Sequence, residues 1–414
     1  MLFYSIILIT MIVFRLNFNN IVFYSGAFNL DLISIRLMVL RFYVLILIII
    51  SQFMSGFLKR LFFIFIMLNL RLMFSFSTRN ILIFYFFFEW SLIPIFLIIV
   101  GWGYQLERIK SRFYLLMYTL FASLPLLILI IILINSFYSL IINYISMNIW
   151  LNINNIYILA ILISFLVKFP IFFFHQWLPK AHVEAPVGGS IILAGVLLKL
   201  GGYGIIRILM FISYGNIITL LMVFSLLGGR ILSVVCLIHR DIKVIIAYSS
   251  VVHMALIIVN ILSKNLWSIH GTIIIMLAHG VCSSGIFSCA NIIYERSHSR
   301  RIMLNKAKLN LFPIISSLWF LLCIANFGGP FTYNLLGEIL LIVNLNSINS
   351  VLLINILIIS FFSAAYRIIL YSNLQQGVNN NLIFNMSNFF LRELLILFGH
   401  VWPLIILLLS STII

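Results

Sequence analysis

Charge is what this sequence has least of. Only 8% of its 414 residues are charged, and eight are acidic, where a soluble domain carries roughly a quarter charged residues. That is too few to cover a water-facing surface, so a soluble globular fold is excluded. Cysteine is scarce as well: Cys236, Cys282, Cys289 and Cys323 lie in apolar stretches, with no C-x-x-C pair. That spacing argues against a disulfide frame, a zinc site or an iron–sulfur cluster and leaves four small core residues. No G-x-G-x-x-G follows a strand. GGYG at 201–204 lacks that context and the later glycine, so close helix packing is its better use. The N-terminus MLFYSIILITMIVF has neither a basic leader nor an A-x-A cleavage site. It reads as a first span rather than a signal or transit peptide.

What the sequence has in abundance is apolar length. Hydrophobic residues make up 64% of the chain and the mean hydropathy is +1.24. A helix needs about 20 apolar residues to cross the hydrocarbon, and such runs recur throughout. Candidate spans cover 2–24, 37–54, 61–78, 80–100, 113–134, 156–175, 187–212, 217–238, 243–262, 267–293, 312–343 as a broken helix, 350–371 and 392–412. These are continuous runs rather than ten-residue alternations, which excludes a β-barrel. The expected fold is an all-α polytopic membrane protein with about 13 transmembrane helices. The 39 phenylalanines, with heavy Ile and Asn usage, fit translation from an AT-rich genome such as an organelle's.

Basic residues gather in alternate loops: Lys59 and Arg60; Arg108, Lys110 and Arg112; Lys180; Arg240 and Lys243; Arg296, Arg300, Arg301, Lys306 and Lys308; and Arg392. Short loops rich in Lys and Arg stay on the side of synthesis. The net charge of +17 is therefore a topological signal, and no nucleic-acid partner is needed to explain it.

Six ionisable residues remain inside apolar runs: Glu89 in FFFEWSLIP, Lys168 in SFLVKFPIF, Lys199 in GVLLKLGGYG, His253 in SSVVHMALII, His279 in MLAHGVCSS and Glu338 in NLLGEILLI. A charge at the bilayer centre costs about 2.5–3.5 kcal/mol on insertion scales. Each alone could be a structural hydrogen bond or ion pair. Together, at similar depth on different helices, they form a candidate proton or ion path. Pro170 follows Lys168 by two positions, and Phe327-Gly328-Gly329-Pro330 precedes Glu338. Both helices should break beside their ionisable residue, next to hydrated cavities. His175 is a second-line candidate near the membrane boundary, and 176–186 reads as a membrane-surface turn with ordinary loop charges.

The runs FFFEWSLIP, VKFPIFFFHQWLPKAHVEAP, LLKLGGYGIIR, RDIKVIIAYSSVVHMAL, AHGVCSSGIFSCANIIYERSHSRRI and NLLGE resemble a known family. They are similar to subunit 4 of the proton-pumping NADH:ubiquinone oxidoreductase, mitochondrial respiratory complex I, an antiporter-like subunit related to Mrp-type sodium/proton antiporters. The resemblance runs from about Asp31 onward. It implies one transmembrane domain over 1–414, with N-terminal helices in 1–60 and a C-terminal helix in 392–414. Between them it implies two inverted five-helix repeats, 61–212 and 217–371, each with a broken helix.

Position by position, the resemblance makes Glu89 the family's glutamate and Lys168 the lysine of the first broken helix. Lys199 becomes the connecting lysine, His253 and His279 the central histidines, and Glu338 the terminal glutamate. The family usually has 14 spans, and the 88 residues before Glu89 are too few for its four leading helices, so one N-terminal helix is expected to be missing. The resemblance further implies a place in the mitochondrial inner membrane beside other membrane-arm subunits, including neighbouring antiporter-like ones, and lipids. FMN, iron–sulfur clusters and ubiquinone would reside in partner subunits, with no cofactor in this chain.

The mechanism this implies begins with a Glu89–Lys168 ion pair whose weakening releases a proton. That proton passes by Lys199 and the histidines to Glu338, since a neutral imidazole can donate at one nitrogen and accept at the other. Two rivals stay open. A free-standing cation/proton antiporter would use the same relay, and copurification with flavin and iron–sulfur subunits decides against it. A passive scaffold would pair its buried charges and lose no pumping on their substitution.

Overall fold

Proline and glycine placement decides where these apolar runs bend. The computed structural model describes residues 23–25, 28–52, 58–105, 107–136, 155–209, 212, 215–307, 312–348, 350–377 and 390–411. A short antiparallel ribbon comes first, β1 (Phe23–Ser25) against β2 (Phe28–Leu30). It is a small addition to the all-α expectation. The expected span at 2–24 lies almost wholly outside the described residues.

Ten single membrane spans follow from length and composition. They are α1 (Leu32–Gln52), α2 (Leu58–Ser77), the pair α3 (Ile81–Trp90) and α4 (Leu92–Trp102) acting as one, α5 (Arg108–Ser136), α8 (Val187–Leu209), α9 (Asn216–Ile238), α10 (Ile242–Ser263), α11 (Leu266–Ser297), α14 (Ser350–Gln375) and α15 (Leu391–Ser411). Two more spans are broken. One is α6 (Asn155–Lys168) with α7 (Trp177–Glu184), the other α12 (Pro313–Asn326) with α13 (Tyr333–Ile348).

The interruptions have local causes. Pro94 carries no N–H, so the Trp90 carbonyl four residues back loses its helical donor; Arg71 supplies one at 2.8 Å. Pro170 likewise ends α6. The Ile171 amide reaches back to Leu166 at 3.0 Å, and the Val167 carbonyl accepts from the Trp177 indole at 2.9 Å. At the second break Gly328 takes φ +72°, a conformation glycine adopts without a Cβ penalty. There the Asn334 side chain donates to the Ala325 carbonyl at 2.7 Å. Each break is thus closed by a side chain from its own second half. A freed backbone group at membrane depth needs such a partner.

The 176–186 turn expectation is corrected. Trp177–Glu184 is helical, and Trp177, Leu178, Ala181, His182 and Glu184 are buried. Its mixed sequence reads as a loop only because it packs on protein instead of lipid.

GGYG performs the packing expected of it. A Cβ on Gly201 would meet the Phe169 backbone nitrogen at 2.8 Å, and one on Gly204 would overlap the Phe165 ring. These small residues let α8 press against the first break. Helix α11 packs against α8, α10, α12, α13 and α15. The trio α8, α10 and α11 is 100%, 89% and 94% buried over its apolar windows, against 33% for α5. The most enclosed helices are the ones that carry Lys199, His253 and His279.

Candidate proton relay

The first element of the candidate relay is an ion pair. Lys168, the last residue of α6, places Nζ 3.1 Å from Glu89 Oε1 on α3. The same ammonium donates to the Phe88 carbonyl at 2.7 Å and lies 3.1 Å from the centre of the Phe88 ring. Lys168 is 6% exposed and Glu89 14%, so their attraction is little screened. Because Pro170 terminates α6 two residues later, Lys168 sits at a helix end, where carbonyl dipoles favour a cation.

The second element is built on a wide turn. Leu193–Leu197 forms a π-helical segment within α8, and the Lys199 ammonium donates to the Ala194 carbonyl inside it at 2.5 Å. π-Turns of this kind recur at functional sites. Helices α8 and α11 approach closely at Gly195 and Gly280, where a Cβ on Gly280 would stand 3.0 Å from the Gly195 carbonyl oxygen. The approach brings Lys199 Nζ to 3.3 Å from His279 Nδ1. The His279 and His253 rings are 5.2 Å apart. His279 Nε2 is buried without a hydrogen-bond partner among the described residues.

The third element is Glu338 on α13. Its carboxylate lies against the second break, where a Cβ on Gly328 would fall on Glu338 Oε2. It makes no hydrogen bond or ion pair among the described residues. No such contact joins Lys168 to Lys199, or His253 to Glu338, either. The structure therefore holds three separate clusters: Glu89 with Lys168, Lys199 with His279 and His253, and Glu338 alone.

His175 is buried between the two halves of the first broken span, stacked on Phe172 with ring centres 5.6 Å apart and 5.8 Å from Tyr248. No hydrogen bond or ion pair joins it to the three clusters among the described residues.

Sequence reasoning missed several buried groups. Arg367 on α14 is 4% exposed and donates through Nη2 to His253 Nε2, and to the Tyr366 hydroxyl at 3.1 Å. Its signal was plain, a lone basic residue in FFSAAYRIIL inside an apolar span. Lys243, expected as a loop charge, is 2% exposed at the start of α10. Its Nζ has no hydrogen-bond partner among the described residues and lies 5.1 Å from the Tyr104 ring and 5.8 Å from that of Tyr294. Burial pushes the Tyr104 phenol up to about 12, so it stays protonated and donates to Asn291 at 3.4 Å. His182 is fully buried, stacked on Phe287 at 4.5 Å, and neither ring nitrogen has a hydrogen-bond partner among the described residues. Glu184 pairs with Arg300 at 3.4 Å and accepts the Gln105 amide at 3.2 Å. These contacts, with the antiparallel backbone bridge between Asp241 and Arg301, gather several of the basic loops on one face, as positive-inside topology requires.

Comparison with known proteins places the chain in context. The family model described as NADH:quinone oxidoreductase/Mrp antiporter, TM matches residues 78–363. A Ceratitis capitata protein named NADH-ubiquinone oxidoreductase chain 4 is 42% identical over 97% of this chain and 92% of its own length. One of the same name from Aedes aegypti is 46% identical over 79% and 73%. Among solved structures, a chain of respiratory complex I from Thermus thermophilus with bound NADH superposes at TM-score 0.84 with 21% identity, covering 98% of this chain and 88% of that one. A chain of an Mrp complex from Dietzia superposes at 0.80 with 15% identity, covering 91% and 74%.

Proposed function

The chain belongs to the NADH:quinone oxidoreductase/Mrp antiporter transmembrane family, and from that premise we propose that it is the proton-translocating subunit 4 of the membrane arm of NADH:ubiquinone oxidoreductase in the mitochondrial inner membrane. The observation that carries this reading is the enclosure of Lys199, His279 and His253 on the three most buried helices, flanked by a breakable ion pair at one helix break and a free carboxylate at the other. Ionisable groups in that setting mark a proton relay.

Glu89 is the switch for Lys168: while the carboxylate stays at 3.1 Å it stabilises the ammonium, and its withdrawal releases a proton. Water carries that proton to Lys199, whose contact with His279 passes it to the central histidines. From there it reaches Glu338, which exchanges it with the far side. Buried water is the bridge this reading requires between the clusters, since water at membrane depth is held by polar groups such as these. His175 stands beside the first break in a supporting place.

The repeat organisation follows the same reading. Spans α2 to α8 make one set of five and α9 to α14 another, and in each set the fourth span is the broken one. Broken helices at matching places are how inverted-repeat transporters build an ion site. Redox chemistry lies in partner subunits holding FMN, iron–sulfur clusters and ubiquinone, and neighbouring antiporter-like subunits and lipids flank the chain. A free-standing antiporter is the weaker reading, since relatives at 42% and 46% identity carry the oxidoreductase name.

The test is the assembled oxidoreductase in vesicles, bearing Lys168→Met or Glu338→Gln. NADH oxidation continues while protons moved per NADH fall. Full translocation in either variant contradicts the relay.

A further inference from the structure

A guanidinium keeps its proton at any physiological pH, so an arginine inside a proton relay is not a carrier. Arg367 nonetheless occupies the ring nitrogen that a relay through His253 would use. Arginine only donates, so His253 Nε2 is the acceptor and the neutral ring carries its proton on Nδ1. The ring also lies beside the backbone of Asn326, the last residue before the second helix break. With Nε2 accepting from Arg367 and Nδ1 protonated, His253 has no free lone pair while Arg367 stays in place.

Arg367 is itself incompletely satisfied. Nη2 serves His253 and Tyr366, whereas Nε and Nη1 are buried with no hydrogen-bond partner among the described residues. Leaving such donors unpaired is costly. Glu338 lies close enough to interact electrostatically with Arg367, yet the two form no ion pair in this arrangement. A cavity of about 250 Å³, lined among others by Cys236, His239, Arg240, Met303 and Asn373, reaches Tyr366 at Arg367's side.

We propose that Arg367 is a positioning residue that alternates between His253 and Glu338 and so separates the two proton transfers at the end of the relay. In the observed position it locks His253 neutral and leaves Glu338 without its counter-ion. Turning to Glu338, it pairs with the ionised carboxylate and frees His253 Nε2. That nitrogen then takes one proton from the Lys199–His279 side, giving an imidazolium. As Arg367 returns, it repels the imidazolium and abandons the carboxylate together. His253 loses one proton and Glu338 gains it by way of water; when Arg367 next turns to Glu338 it favours the ionised carboxylate, the proton leaves to the far side, and both groups are again as they began. No proton crosses while the guanidinium sits on His253.

The inference rests on the relay reading above, and the experiment separates the two. The assembled oxidoreductase bearing Arg367→Met, Arg367→Gln or Arg367→Lys is placed in vesicles beside Glu338→Gln. Expected is loss of protons moved per NADH in the Met and Gln variants at retained NADH oxidation, with partial recovery in Arg367→Lys, which restores a mobile cation. A side chain that merely fills space would leave that ratio unchanged. If Met and Gln keep the full ratio while Glu338→Gln loses it, the Arg367 inference falls and the relay stands. If Glu338→Gln also keeps it, the relay falls too. Should the variants not assemble, structures of the unaltered assembly during NADH turnover decide. Arg367 on Glu338 in some particles supports the alternation; Arg367 on His253 in every particle overturns it.

Discussion

Lys168 holds two neighbours in the chain at once, pairing with Glu89 at 3.1 Å and donating to the Phe88 carbonyl at 2.7 Å. The lysine therefore has a fixed partner, the carbonyl, and a movable one, the carboxylate. Losing the carboxylate leaves the ammonium tethered where it stands, which is what a switch that releases a proton without unfolding requires.

That geometry separates stability from pumping. Lys168→Met strands Glu89 without its cation, and breaking a buried pair costs about 3–5 kcal/mol. Glu89→Gln alone strands the Lys168 ammonium, which keeps only the Phe88 carbonyl, and costs a similar amount. Lys168→Met combined with Glu89→Gln should recover most of the stability and none of the pumping. Thermal melting of the assembly and proton uptake by vesicles check the two halves independently.

Gly328 combines a positive φ with a Cβ position already filled by the Glu338 carboxylate. Gly328→Ala forces a side chain into φ +72° and onto the Glu338 carboxylate, with strain of about 1–3 kcal/mol. It should lower both melting temperature and protons per NADH. Gly101→Ala, at a position with nothing within 4 Å, should change neither.

The two breaks should respond alike to loss of their side-chain closures. Trp177→Phe removes the donor to the Val167 carbonyl, and Asn334→Leu the donor to Ala325. Each leaves a buried carbonyl unsatisfied, at about 1–3 kcal/mol. Trp267, 68% exposed, is the control: Trp267→Phe should be neutral by thermal melting of the assembly.

Much of this was legible in the sequence for a physical reason. Charge at membrane depth is so unfavourable that Glu89, Lys168, Lys199, His253, His279 and Glu338 stood out unaided. Pro170 and Phe327-Gly328-Gly329-Pro330 marked both breaks, because loss of an N–H and a positive φ are written in residue type. What escaped was relational. The π-turn at Leu193–Leu197 has no composition of its own, and the helix Trp177–Glu184 is polar because its neighbours are protein. Lys243 looked like a loop charge since a span's end is not sharp in sequence. Arg367 carried the same signal as the six and went unused; its contact with His253 depends on how α14 packs beside α10.

The central claim is that one hydrated path joins the three clusters. A structure of the intact assembly at a resolution that shows water tests it most directly. The account predicts ordered water linking Lys168 to Lys199 and reaching Glu338 from the central histidines, with both broken helices kept. A dry, closely packed gap between Lys168 and Lys199 in every state of the turnover cycle would contradict it.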